Sequence, residues 1–247
     1  PWNLLTEKYS AEALEENFKN LFGDTLLSGL IKPCLISSYN ITVRNAHFFT
    51  SVDARVNEIA DFKVIDVARS TSAAPTYFEP AQIQSMTGQT FNLIDGGVFA
   101  NNPALCAYAE VRKILFSQVL QNQDKPDKPS AKNMLLISVG TGTVKKPYHF
   151  KDLDKAGEIK WIEPIIDILM SGNSETVDYQ LRQMYKTLSE KDAKDYYRLE
   201  PSLYEALSDM DNASEINVEN LRQAGLLFID KNQQLLNEIA EKILENK

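Results

Sequence analysis

The sequence predicts a three-layer α/β domain with a central, mostly parallel sheet and a helix-rich C-terminal half. Two observations carry this expectation. Residues 91–140 read as strand, glycine turn, helix, polar loop and second strand, which is the order of a βαβ crossover. Beyond residue 150 the apolar residues recur mainly at helical spacing, interrupted by one short extended piece. The chain has 247 residues, 43% hydrophobic and 24% charged, which suits one large domain or two small ones. We read it as a single domain over 1–247.

Taken in order, AEALEENFKNLF (11–22) places Leu14, Phe18, Leu21 and Phe22 on one helical face. Ser10 is positioned as its N-cap and Gly23 as its stop. PCLISSYNI (33–41) and TVRNAHFFTS (42–51) read as two extended segments that pair, without a strong hairpin turn between them. VIDVARSTSAAPTYFEP (64–80) is a helix of small residues broken by Pro75. Its small side chains fit two roles, tight packing against a sheet or the wall of a cleft. FNLID (91–95) is a short strand, and a helix opens at Pro103 and runs to about 121 with Leu105, Ala109, Ile114 and Val119 facing inward. A polar, proline-bearing loop (121–133) leads to MLLISVG (134–140), the pattern of a parallel strand buried on both faces. Helices are then expected over 155–171, 174–189, 217–230 and 232–245, with YYRLEP (196–201) extended.

Charge and composition exclude several classes of function. The net charge is −8 without any basic cluster, so nucleic acid is not an expected partner. Cys34 and Cys106 have no metal-ligand spacing and read as buried thiols. His47 and His149 are the only histidines, too few for a His-based metal site, and they make a Ser-His-Asp triad hard to build. No cofactor or metal is expected. No apolar run reaches the length of a membrane span. A soluble protein, cytoplasmic or secreted, is the reading.

Two segments carry chemistry. In GTGT (140–143) a glycine turn follows a strand, as in phosphate cradles, but the spacing matches neither a Walker loop nor G-x-G-x-x-G, so a tight turn is the reading. In NLIDGGVFANNP (92–103), Asp95 closes a strand at its carboxyl end, where functional groups gather in open α/β sheets. Gly96 and Gly97 follow, and glycine reaches backbone angles closed to other residues. A turn-capping carboxylate and a catalytic carboxylate facing open space both fit this spacing.

The ordered set STSAAPTYFEP (70–80), Asp95–Gly97, MLLISVGTGT (134–143) and DNASEIN (211–217) resembles the patatin-like phospholipase family over most of the chain. The resemblance implies a patatin-like sandwich and a serine acyl hydrolase that cleaves lipid acyl esters with a Ser–Asp dyad, without histidine, calcium or other cofactor. It assigns Asp95 as the base, with Gly96 and Gly97 shaping its turn, a lipid or acyl-ester substrate and at most peripheral membrane contact. Tyr77 and Phe78 are candidates for an acyl pocket or for ordinary core.

The family's nucleophile lies in G-x-S-x-G on a sharp strand-to-helix turn. No such motif occurs here; GNSET (172–176) lacks the closing glycine, and the glycine-rich oxyanion loop is also missing. With Pro1 as first residue, the expectation is an N-terminally incomplete chain that supplies only the Asp and is inactive alone. An upstream segment would then bring the nucleophile and cover apolar faces at Asn92–Ile94 and Met134–Val139. A second reading is a non-catalytic binding or storage protein on the same scaffold.

Overall fold

The structure is a computed structural model that describes residues 7–119, 126–143, 147–154 and 157–245. It divides into two compact units, Pro1–Lys128 with Ile166–Val177, and Pro129–Ile165 with Asp178–Lys247.

The first unit opens with helix α1 (Glu12–Phe22), which stops at Gly23 with φ 52° and a hydrogen bond from its N–H to the Lys19 carbonyl. At the other end Ser10 Oγ accepts the Glu12 N–H at 3.3 Å, the N-cap bond expected of it, and Ala11 between them is already helical at φ −76°, ψ −11°. Strands β1 (Leu35–Asn40) and β2 (Asn45–Thr50) pair antiparallel. Asn40 makes the turn between them, its Oδ1 accepting the N–H groups of Thr42 and Val43 at 3.0 and 3.3 Å, and Arg44 completes it at φ 56°. This side-chain-built turn explains why no glycine signal announced the hairpin.

Helices α2 (Ser51–Ala54) and α3 (Val64–Thr71) follow, then β3 (Ala81–Gln84) and β4 (Thr90–Asp95). β3 was not foreseen, although its period-2 alternation was there to read: Ala81 and Ile83 are buried and Gln82 and Gln84 exposed. The sheet order is β2-β1-β4-β3, with every pair antiparallel. Leu27, Phe49, Phe62, Val67, Ala81, Ile83 and Leu93 form the core. Phe49 and Phe62 meet edge to face at 5.0 Å, the arrangement aromatic quadrupoles favour. Short helices α4 (Gly97–Ala100), α5 (Ala104–Lys113) and α6 (Phe116–Val119) come next.

In the second unit β5 (Leu136–Val139) pairs parallel with β6 (Tyr196–Leu199). The chain between them includes α7 (Phe150–Leu153) and the 29-residue α8 (Glu158–Lys186), whose middle, Ile166–Val177, belongs to the first unit. Leu181, Tyr185, Tyr196 and Tyr197 are buried, and the Tyr185 hydroxyl donates to the Met134 carbonyl at 3.1 Å. Helices α9 (Glu215–Lys231) and α10 (Gln233–Glu245) close the unit. No helix among the described residues is long and apolar enough to cross a membrane.

The α/β character and the helical C-terminal half are as expected, but a mostly parallel central sheet is not found among the described residues. The four-stranded sheet is antiparallel, and the parallel pair is the two-stranded β5-β6. Both edges of β4 are taken by β1 and β3, so FNLID and MLLISVG lie in different sheets and the crossover foreseen over 91–140 does not form. Nor is β5 covered on both faces, since Val139 is 72% exposed. The two helices expected at 155–171 and 174–189 are one.

Candidate active site

Asp95 is the last residue of β4, opposite Ser38 of β1 in the sheet register. Its backbone N–H leaves the ladder and donates to the carbonyl of Ala73 at 3.0 Å, just past the end of α3. The small-residue segment 70–73 thus does its packing against the two strands that carry the turn. Thr71 Oγ1 donates to the Ser37 carbonyl at 2.7 Å, and Ser38 Oγ to the Ile94 carbonyl at 2.6 Å. Ser70, Ser38 and Ala73 are fully buried, so larger side chains have no room there.

The two glycines act by size, not by unusual backbone angles. Gly96 is right-handed helical at φ −72°, ψ −22°, and neither glycine has positive φ. A Cβ on Gly96 would fall inside the carbonyl oxygen and hydroxyl of Ser37. A Cβ on Gly97 would lie 3.0 Å from Asp95 Oδ1. The expectation of special backbone geometry is therefore replaced by one of close approach.

Gly97 N–H donates to Asp95 Oδ1 at 2.6 Å. Among the described residues no other hydrogen bond reaches this carboxylate, and no serine hydroxyl bonds to it. Asp95 is half-buried. Burial pushes its carboxyl pKa above the ordinary value, and the Gly97 hydrogen bond holds part of that rise back. A carboxylate so placed is a stronger proton acceptor than one in water, and it keeps one oxygen for a partner.

α8 passes the C-terminal side of the turn within the same unit. Asn173 Nδ2 donates to the Phe99 carbonyl at 2.8 Å, and Asn101 Nδ2 donates to the Met170 carbonyl at 3.3 Å. Sequence reasoning passed over these asparagines because their partners lie about 70 residues away in the chain. GNSET lies inside α8, where the Ser174 carbonyl accepts Asn102 Nδ2 at 3.5 Å. It forms no strand-to-helix turn.

The other candidates resolve into structure. The GTGT turn is filled from within its own unit: Glu200 Oε1 accepts the Gly142 N–H at 2.9 Å, and Oε2 pairs with Arg198. A carboxylate sits where a phosphate cradle would need its anion. In DNASEIN, Asn217 is buried and ties the preceding loop to α9, accepting Leu207 N–H at 2.8 Å and donating to the Asn212 carbonyl at 2.9 Å. Tyr77 and Phe78 are half-buried, Phe78 beside Tyr9 and Tyr77 beneath Lys8. Both cysteines are free and half-buried. His47 stands among Phe49, Phe62 and Phe91, and burial lowers its pKa.

Comparison with known proteins adds the relationship. A family model described as patatin-like phospholipase matches residues 1–108, a span that includes Asp95–Gly97. Patatin-like protein 1 of Arabidopsis thaliana is 34% identical over 235 residues, covering 88% of this chain and 55% of that protein. Patatin-like protein 2 of Oryza sativa subsp. indica is 31% identical, with 91% of this chain and 58% of that protein covered. Patatin group D-2 of Solanum tuberosum is also 31% identical, with the same 91% and 58%. The chain spans a little over half the length of these curated relatives.

Proposed function

The chain belongs to the patatin-like phospholipase family, and on that premise we propose that it carries the base of a Ser–Asp dyad that hydrolyses lipid acyl esters. The observation that supports this most is the placement of Asp95: at a strand end, half-buried, with one oxygen tied to the Gly97 N–H. In the proposed cycle Asp95 accepts the serine hydroxyl proton as the serine oxygen attacks the ester carbonyl. The alcohol leaves with that proton, and an acyl-enzyme remains. Asp95 then takes a proton from water, whose oxygen attacks the acyl carbonyl, and the fatty acid and free serine are released. Neither step needs a metal or cofactor.

The nucleophile is proposed to come from outside these 247 residues, because the sequence holds no G-x-S-x-G and its nearest match is helical. The exposed Val139 on β5 is in keeping with a further segment of the protein lying against that strand. The substrate is an acyl ester presented in lipid, reached by peripheral contact.

Asp95→Asn in the full-length protein tests the reading. It preserves shape and the Gly97 hydrogen bond but cannot take a proton. Turnover of p-nitrophenyl butyrate is expected to fall by about a thousandfold or more, on the scale of losing a member of a catalytic unit. A fluorophosphonate probe is expected to label a serine outside residues 1–247. Wild-type turnover by the Asn variant, or stoichiometric label on a serine within the chain, would overturn the assignment. An intact protein that binds lipid and never turns over would replace it with the storage or binding reading.

A further inference from the structure

We propose that Asn173 is a positioning residue for Asp95: its side-chain amide, offered from α8, fixes the C-terminal side of the Asp95–Gly96–Gly97 turn. The inference rests on the reading of Asp95 as the base. Asp95 is held from two sides. On the N-terminal side the sheet pairing with Ser38 and the bond to the Ala73 carbonyl fix it. On the C-terminal side its carboxylate is tied to the Gly97 N–H, so the carboxylate follows wherever α4 goes.

Phe99 of α4 packs on Tyr39 and Phe48, yet its carbonyl lacks the usual helical donor. In a continuing helix the Phe99 carbonyl would accept the N–H of residue 103. That residue is Pro103, which has none. Asn173 Nδ2 supplies the missing donor at 2.8 Å, the shortest of the three amide contacts that Asn101, Asn102 and Asn173 make here. The Met170 methyl, one turn earlier on α8, is 3.6 Å from the place a Gly97 Cβ would occupy, so α8 lies directly against the turn.

The same side chain is a poor choice for stability alone. Asn173 Oδ1 is buried and has no partner among the described residues. The desolvation cost of that oxygen is at least as large as the net gain from one hydrogen bond. What the amide adds is a directional donor at a fixed point, and direction is what a general base requires.

The test is steady-state kinetics of full-length Asn173→Ala and Asn173→Asp with p-nitrophenyl butyrate, beside Asp95→Asn. Asn232→Ala serves as the structural control, since Asn232 Nδ2 makes the same kind of bond to the Phe228 carbonyl at 2.8 Å, far from the turn in sequence and in the other unit. Expected for Asn173→Ala is a kcat lower by about tenfold to a hundredfold with KM unchanged within twofold, the scale of a 1 Å misplacement. Asn173→Asp, which keeps the shape but sets a carboxylate in place of the donor to the Phe99 carbonyl, is expected to fall at least as far, and it decides the matter where the Ala variant does not fold. Asn232→Ala is expected to shift the melting temperature and leave kcat alone. Wild-type kcat in folded Asn173→Asp, with Asp95→Asn inactive, would overturn the inference and leave the dyad standing. Full activity in Asp95→Asn would remove both.

Discussion

Gly96→Ala adds one methyl group where the turn after β4 meets Ser37 of β1. That methyl would overlap the Ser37 carbonyl oxygen and hydroxyl. The carbonyl belongs to the strand backbone, so a rotamer change cannot relieve the overlap, and β1 must retreat by roughly 1 Å. Overpacking of this kind costs about 1–3 kcal/mol. Loosening the Thr71 Oγ1 bond to that same Ser37 carbonyl adds about 1 kcal/mol for one weakened hydrogen bond. The sum, about 2–4 kcal/mol, is a large share of the 5–15 kcal/mol that typically holds a domain together. Urea unfolding of the full-length protein reads it as a lower midpoint at unchanged slope. Gly225→Ala is the control: it lies within α9 with nothing within 4 Å of the new Cβ, so it should stabilise by about 0.5–1 kcal/mol through helix propensity. The same Gly96 variant should also lose ester turnover, because Asp95 is the next residue. A Gly96→Ala protein within about 0.5 kcal/mol of wild type and fully active would refute the close-approach account of this glycine.

Two further outcomes follow from titration. Burial raises the Asp95 pKa in the folded protein, so folding favours its protonated form, and its contribution to stability falls as pH rises from the ordinary carboxylate range through the raised value. Asp95→Asn should therefore be more stable than wild type at pH 7, with the gain shrinking as pH falls through the raised value and gone below about 4, where the carboxyl is neutral in both states. Melting temperatures across that range read it, and a constant difference at all pH values would contradict the burial argument. His47 runs the other way: its pKa is lowered by burial, so the unfolded chain takes up the proton first, and stability is lost as pH falls from about 6.5. His47→Phe, among Phe49, Phe62 and Phe91, should remove that acid-side loss; an unchanged pH slope would show that His47 is not its source.

What the sequence disclosed and what it concealed divide along chain distance. Asp95 was legible because the strand, the carboxylate and both glycines stand together in residues 91–97, and local chemistry announces them. The reason for the first glycine was not legible, because the atoms it avoids belong to Ser37, nearly sixty residues away. The same holds for α8. Ser171, Gly172, Asn173 and Ser174 look like a helix break, yet Ser171 Oγ bonds back to the Asp167 carbonyl and Thr176 Oγ1 to the Gly172 carbonyl, both at 2.7 Å, so these hydroxyls are satisfied without leaving the helix. Which strands share a sheet was the largest misreading. The apolar run of β5 did mark a parallel strand, but nothing local says that β4 already has antiparallel neighbours on both sides.

A carboxylate base without histidine faces two opposed demands. It needs a drier setting, since desolvation is what lifts its pKa toward the working range. It also needs an open approach for the group whose proton it takes, and dry settings are crowded. Here the crowding is tightest on one side. Ser38, Ser70 and Ala73 are fully buried behind the strand end, and Gly96 sits against Ser37. On the other side Gly97 offers a backbone N–H to Oδ1 and no side chain. An alanine at 97 would bring its methyl to 3.0 Å from Oδ1, within reach of the oxygen that must stay responsive to charge. The second glycine is thus tied to the reaction as well as the fold. Replacing it should cost turnover out of proportion to stability, whereas replacing the first should cost both.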